Sequence, residues 1–281
     1  MKVIFLQDFF AHQHLGGAEL HDQVVIDYFE SKDKLFDKIN TFNVTPQYVL
    51  DNTDKAWFIS NFVGLKNVCK ALIAKYCKYL IYEHDYKFLK NRNPIGYPNF
   101  LAPDEGHKCN FTFYQNAVSV MCLSKMHRQI FEANLGLKNI DNINCSMWND
   151  ADLDLLKSLN SIPKKEKFAV IDSPNAIKKT PQTVEFCKKA NLPFDLIKAP
   201  THHEFLRILA EYKGLVFQTG HPEPTPRVAV EAKMLNCKFL SQKEVIGVAH
   251  EEWFHLNGDE LIEEVRTMRD VACKKLEGLL L

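Results

Sequence analysis

The chain has 281 residues, of which 46% are hydrophobic and 25% are charged. This balance is typical of a soluble globular protein, and the length suffices for two domains of ordinary size. The formal net charge is zero, so total charge gives no indication of a polyanionic partner.

Cysteine spacing and apolar runs narrow the class of protein further. None of the eight cysteines stands in a Cys-x-x-Cys pair, which argues against a structural zinc site. The apolar run at the start, residues 3–6, is too short for a signal peptide, and no run is long enough to cross a bilayer. We therefore expect free thiols and a cytoplasmic location.

Short apolar runs alternate with helical patterns from the first residues onward, which favours an α/β fold with parallel, doubly wound sheets. The first repeat is a strand at 3–6, a loop ending in Gly16 and Gly17, and a helix over 18–29. Further strands are predicted at 56–59, 79–82, 118–123 and 143–145, and helices at 64–76, 125–135 and 151–159.

A polar, Pro-containing run at residues 158–167 predicts a domain boundary after residue 160. A second α/β series follows over 161–258, with strands at 168–171, 194–197, 214–217 and 238–240 and helices at 180–190, 203–212 and 226–235. The last helix is predicted over 259–276, with Asp259 as its N-cap.

Residues 221–232 read His-Pro-Glu-Pro-Thr-Pro-Arg-Val-Ala-Val-Glu-Ala. They place Glu223 in the loop after a predicted strand and Glu231 in the helix that follows, with Asn236 at a left-handed helix end. Open α/β sheets bind ligands in such loops. Two carboxylates for hydroxyl groups and a helix N-terminus for phosphate together predict a nucleotide-sugar site.

This stretch resembles the Glu-x7-Glu motif of retaining GT-B glycosyltransferases, the glycogen-synthase and mannosyltransferase-like group. The family string P-E-P-F-G-R-V-A-V-E-A stands here as P-E-P-T-P-R-V-A-V-E-A. The resemblance implies a GT-B fold, in which two Rossmann-like domains (1–160 and 161–258) face each other across a cleft. A helix at 259–281 would pack back toward the first domain.

The resemblance also implies roles for the residues of this motif. Glu223 would orient the sugar and Glu231 would bind the ribose. The helix start at Thr225, Pro226 and Arg227 would hold the diphosphate. Since no Asp-x-Asp pair follows a predicted strand, we expect neither a metal nor another cofactor.

Two further segments match the family at the expected places. The Gly16-Gly17-Ala-Glu loop is similar to the family's Gly-Gly-x-Glu segment near the donor phosphates. Lys178 occupies the position of a diphosphate-binding Lys. Ser173 stands where the family carries an Arg, and Lys179 stands where it carries a Gly, so Lys179 is the alternative source of the second positive charge.

His84 and Asp85 follow a predicted strand of the first domain. In the family a His at such a strand end faces the donor sugar. An inverting enzyme of this shape would instead need a general base, for which Asp85 is the second candidate. The stereochemical outcome is therefore open at this point, with retention favoured by the resemblance.

The segment from Lys66 to Arg92 has seven basic residues and two acidic ones. It is either a solvated helix face or a patch for an anionic acceptor, with nucleic acid, a glycan and an anionic lipid as candidates. Phage enzymes that glycosylate hydroxymethylated DNA bases are one specific possibility, and they would flip out the target base.

The sequence thus predicts a glycosyltransferase (hexosyl- or pentosyltransferase) that uses a nucleotide diphosphate sugar, with UDP favoured. The alternatives are a sugar-nucleotide-binding protein without transfer activity and an epimerase acting on the sugar nucleotide. An epimerase would turn over its substrate without an acceptor.

Overall fold

A computed structural model describes residues 1–103 and 106–281. Two compact units divide the chain, one of residues 1–147 with 268–281 and the other of residues 148–267. The sequence-predicted boundary near residue 160 falls within the second unit.

A six-stranded parallel sheet with strand order β2-β1-β3-β4-β5-β6 forms the centre of the first unit. Its strands are β1 Val3–Gln7, β2 Leu35–Asn40, β3 Ala56–Ile59, β4 Lys78–Tyr82, β5 Ser119–Cys122 and β6 Ile140–Asn142. Its helices are α1 Gly17–Ser31, α2 Pro46–Asp51, α3 Asn67–Tyr76, α4 Phe111–Gln115 and α5 Lys125–Leu135. The strands β1, β3 and β5 are fully buried, as expected for a parallel sheet covered on both faces.

A four-stranded parallel sheet with order β10-β9-β7-β8 forms the centre of the second unit. Its strands are β7 Lys165–Ile171, β8 Phe194–Ile197, β9 Tyr212–Val216 and β10 Lys238–Leu240. The helices are α6 Asp150–Leu159, α7 Thr180–Lys189, α8 His202–Ala210, α9 Arg227–Met234 and the start of α10 Gly258–Leu280. The α10 residues from Met268 onward belong to the first unit.

Side-chain caps fix where several helices begin. Ser124, Asn149 and Thr201 each accept a backbone N–H from the first turn of α5, α6 and α8, which satisfies a donor that would otherwise be unpaired. Asn236 has φ +57° after α9, so its predicted left-handed conformation is confirmed.

Two sequence-based expectations were wrong in detail, and three elements were not expected. The strand expected at 143–145 lies at Ile140–Asn142. Asp259 is inside the first turn of α10 and not its N-cap, because the helix already begins at Gly258. The half-exposed strand β2 was not predicted, and neither were the short helices α2 and α4.

All eight cysteines lie among the described residues and are free thiols. Within the described part of the chain, no helix combines the length and the apolar composition needed to span a membrane.

Candidate functional site

Strand order identifies where the second unit should bind a ligand. From β7 the chain crosses to β8 on one side, and from β8 it returns past β7 to β9 on the other side. Doubly wound sheets bind ligands at the carboxyl ends of the strands where the winding changes direction. The loops that leave this point are residues 172–179 and 217–226, which contain five of the predicted site residues.

Lys178 and Glu223 meet at this switch point, one from each loop. The Lys178 ammonium donates to Glu223 Oε1 at 2.9 Å and lies 5.2 Å from the centre of the Phe217 ring. The backbone of Glu223 makes two hydrogen bonds: its N–H donates to Val245 O, and its carbonyl oxygen accepts from Gly247 N. A cation and a carboxylate are therefore positioned side by side, both partly exposed to solvent.

Lys179 has a left-handed backbone conformation, with φ +46° and ψ +39°, directly before α7. This is the position where the resembled family carries Gly, which adopts such angles without strain. The side chain of Lys179 lies along Gly220, since a Cβ added there would come within 3.0 Å of Lys179 Cε. Ser173 takes part in the turn, with its Oγ accepting from Asn175 N, and adds no charge.

The N-terminus of α9 completes this edge of the sheet. Pro226 is the N-cap residue of α9 and, as a proline, makes no side-chain cap hydrogen bond. The positive end of the helix dipole lies at this edge of the sheet. Thr225 is buried just before it.

Arg227 is directed into the protein interior. Its guanidinium lies 4.5 Å from the centre of the Trp148 ring, and it forms ion pairs with Asp152 at 3.5 Å and Glu231 at 3.4 Å. These contacts tie α9 to α6. The predicted contact of Arg227 with a diphosphate therefore stays a prediction.

Glu231 is almost completely buried, and three groups contact its Oε1. Trp148 Nε1 and His202 Nε2 lie at 2.9 Å, and Arg227 lies at 3.4 Å. Burial alone would raise the pKa of Glu231, but His202, Arg227 and the indole N–H lower it to about 2. Burial lowers the pKa of His202, yet the charge of Glu231 outweighs this and raises it. Glu231 and His202 thus form a charged pair near pH 6.

Asp152, His202 and His203 bring potential metal-ligand atoms within 4.8 Å of one another. Each of these groups has a partner of its own: His203 Nε2 contacts Asp152 Oδ1 at 2.7 Å, and Arg227 also pairs with Asp152. The positive charges of Arg227 and His202 balance the negative charges of Asp152 and Glu231. The cluster therefore needs no additional cation for neutrality.

In the first unit, His84 follows β4 and its Nε2 contacts Asp22 Oδ1 at 2.7 Å. The Gly16-Gly17 loop leads into α1, with Gly16 as the N-cap residue and Gly17 as the first helical residue. Gly16 has an extended backbone, and the carboxylate of Glu19 folds back over it. Burial and the charge of Asp22 raise the pKa of Glu19.

Asp85 is engaged in ion pairs with Lys87 at 3.1 Å and Arg92 at 3.5 Å. Its backbone oxygen accepts from Nε2 of the buried His127 at 2.8 Å, and burial lowers the pKa of His127 to about 3. The carboxylate of Asp85 is therefore already engaged with two cations of its own segment, and His84 and Asp85 both stay predictions for contact with substrate.

The basic segment from Lys66 to Arg92 is not a continuous free surface. Lys87 is buried and also pairs with Glu83 at 2.8 Å, and Lys70 donates to Asn110 at 3.1 Å. Together with Arg92, these residues have partners within the protein. The segment therefore offers weaker support for an anionic acceptor than its composition indicated.

Four side chains in these clusters were not predicted from the sequence: Asp22, Trp148, Asp152 and His202. His202 had a usable signal, because it follows the carboxyl end of β8, the same reasoning that selected His84. The others come from distant parts of the chain and carry no local motif.

Solved structures that align with almost the whole of this chain include glycosyltransferases. Anabaena Alr3699/HepE in complex with UDP and glucose aligns with a TM-score of 0.56 and 12% identity, over 99% of this chain and 100% of that one. Sucrose-phosphate synthase from Thermosynechococcus elongatus aligns with a TM-score of 0.61 and 9% identity, over 99% of this chain and 98% of that one. An α-glucosyltransferase in complex with UDP and a 13-mer DNA containing an HMU base aligns with a TM-score of 0.51 and 9% identity, over 100% of this chain and 95% of that one.

No protein-family model matches the chain, and no curated protein matches it significantly by sequence. At these low identities the structural likeness establishes the fold. The chain therefore has the GT-B fold, with one parallel α/β sheet in each unit.

Proposed function

We propose that this protein is a glycosyltransferase that moves a sugar from a nucleotide diphosphate sugar to an acceptor hydroxyl. The observation that carries the proposal is the meeting of Lys178 and Glu223 beside the N-terminus of α9, at the switch point of the second sheet. Aligned structures in complex with UDP support UDP as the nucleotide.

The proposed roles follow from the chemistry of each group. Lys178, together with Lys179 and the N-terminus of α9, would stabilise the negative charge that develops on the leaving diphosphate. With positive side chains in that role, the proposal includes no metal ion. Glu223 would exchange its contact with Lys178 for hydroxyls of the sugar.

Glu231 is proposed to bind the ribose through Oε2, since the three contacts that it makes among the described residues are all to Oε1. His202 and Arg227 keep this carboxylate ionised, and an ionised carboxylate accepts hydrogen bonds from hydroxyls about twice as strongly as a neutral group does. Retention of the anomeric configuration is supported only by the resemblance of the motif. NMR of the product tests it.

The first test is thermal stabilisation of the protein by UDP-, GDP- and ADP-linked sugars. A donor at 100 times its Kd should add about 2.7 kcal/mol to stability. Lys178→Ala should lose most of this gain. Lys189→Ala is the matched control, because Lys189 is an exposed lysine of α7 that pairs only with neighbouring Glu185 among the described residues.

If no nucleotide sugar stabilises the wild type, the proposed function is wrong. If one does, the radiolabelled donor is offered to duplex DNA, glycan and anionic lipid acceptors. Stabilisation without transfer to any acceptor would favour the alternative of a sugar-nucleotide-binding protein. Conversion of the donor sugar without an acceptor would favour an epimerase.

A further inference from the structure

The buried carboxylate of Asp22, on α1, forms a hydrogen bond with the ring of His84. Asp22 is fully buried, its Oδ1 lies 2.7 Å from His84 Nε2, and its Oδ2 accepts a hydrogen bond from Ser60 Oγ. Ser60 directly follows β3, and His84 follows β4. Three neighbouring segments of the first unit therefore converge on one carboxylate.

The hydrogen bonds of Asp22 determine which nitrogen of His84 carries the proton. An ionised carboxylate only accepts hydrogen bonds, so the ring must donate to it from Nε2–H. A neutral imidazole has one proton, and Nδ1 is then left with a lone pair. Among the described residues, Nδ1 of His84 has no hydrogen-bond partner.

The tautomer of the adjacent His21 is also set by its hydrogen bonds, which involve Met147 N and Ser146 Oγ at Nδ1. The Nδ1 of His21 accepts from Met147 N at 3.1 Å, so its proton lies on Nε2 and is donated to the Tyr82 hydroxyl. Its ring packs edge-on against His84 at 5.1 Å. The ring of His84 is thereby held between a carboxylate and two aromatic neighbours.

We propose that Asp22 is a positioning residue, which holds His84 with Nε2 protonated so that Nδ1 accepts a hydrogen bond from a hydroxyl of the sugar substrate. The identity of the substrate rests on the proposed function, whereas the protonation of the ring does not. Ser60 is the second partner that orients the carboxylate. The side chain of Asp85, paired with Lys87 and Arg92, takes no part.

The test is long-range ¹H–¹⁵N NMR of the whole ¹⁵N-labelled protein without ligand, which distinguishes the two tautomers of a histidine ring. His84→Gln identifies the signal of His84 among the 11 histidines. The wild type should show the Nε2–H tautomer. Asp22→Asn should populate the Nδ1–H tautomer as well, because a carboxamide can present either its oxygen or its N–H to Nε2, whereas a carboxylate presents only acceptors.

Ser60→Ala is the matched control, since it removes a partner of Asp22 and keeps the carboxylate, and it should leave the tautomer unchanged. An Nδ1–H tautomer in the wild type, or an unchanged ring in Asp22→Asn, would overturn the proposal. If Asp22→Asn does not fold, the wild-type spectrum alone decides.

A second readout connects the tautomer to substrate. With an active donor and acceptor in hand, Asp22→Asn should lower kcat by about tenfold, the loss of roughly one hydrogen bond to a charged group. The stabilisation of the second unit by free UDP should stay the same. Absence of any nucleotide binding would reject the proposed function and leave the NMR result on Asp22 intact.

Discussion

Glu231 and Glu223 belong to one sequence motif but differ in their dependence on partners. Glu231 is buried against His202, Arg227 and Trp148, whereas Glu223 is partly exposed beside Lys178. Removing one member of a buried ion pair leaves uncompensated charge and costs about 3 kcal/mol or more. A partly exposed pair contributes at most about 1 kcal/mol.

We therefore predict that Glu231→Gln lowers the free energy of unfolding by about 3 kcal/mol at pH 6, and that Glu223→Gln lowers it by less than about 1 kcal/mol. Urea denaturation of both variants measures this difference. Glutamine keeps the shape and the acceptor oxygen, so the comparison isolates the charge. Equal costs for the two variants would contradict the burial of Glu231.

The cost of Glu231→Gln should depend on pH, because folding lowers the pKa of Glu231 and raises the pKa of His202. The pKa of Glu231 falls from 4.5 to about 2 on folding, so its contribution to stability is present above pH 4.5 and is lost as the pH falls toward 2. The pKa of His202 rises above 6.5, so its contribution is present below pH 6.5 and is lost at higher pH. The cost of Glu231→Gln should be largest between pH 4.5 and 6.5.

At the scale of elements, the sequence predicted those strands and helices that have strong local signals. Fully buried runs such as β1 and β3 were predicted because nearly every residue is apolar. The strand β2 was missed because it lies at the sheet edge and its side chains are half-exposed. The contacts of His84 with Asp22 and of Arg227 with Asp152 were also missed, because they join segments far apart in the chain.

The turn before α7 gives a prediction about backbone strain. A side chain at φ +46° costs on the order of 1 kcal/mol relative to glycine. Lys179→Gly should therefore be more stable than Lys179→Ala by about 1 kcal/mol in urea denaturation. Both variants lose the same charge and the same contact along Gly220, so their difference reports the backbone alone. A less stable glycine variant would show that the turn is not strained.

Both variants also separate the backbone role of Lys179 from its proposed role at the diphosphate. If the ammonium contributes to donor binding, Lys179→Gly and Lys179→Ala should lose the same share of the stabilisation by UDP. A loss confined to one of them would assign the effect to the conformation of the turn.

At the scale of the whole molecule, the chain returns to its first unit at the very end. Residues 268–281 belong to that unit, where Lys275 pairs with Asp141 and the Tyr28 hydroxyl donates to Glu277 at 2.5 Å. Leu276 on the same helix is fully buried, whereas Val271 is 62% exposed. The last helix therefore contributes apolar surface to the core of a unit that the rest of the chain forms before residue 148.

Leu276→Ala should lower the stability of the first unit by about 2–5 kcal/mol, because it leaves a cavity in a packed core. Val271→Ala, the matched control on the exposed face, should have little effect. Native-state hydrogen exchange measures this locally, since opening free energies differ between cooperative units. We expect faster exchange at the protected amides of β1, β3 and β4, with exchange in β7 and β9 unchanged. Equal acceleration in both sheets would show instead that the two units unfold as one, and that the final helix stabilises the entire protein.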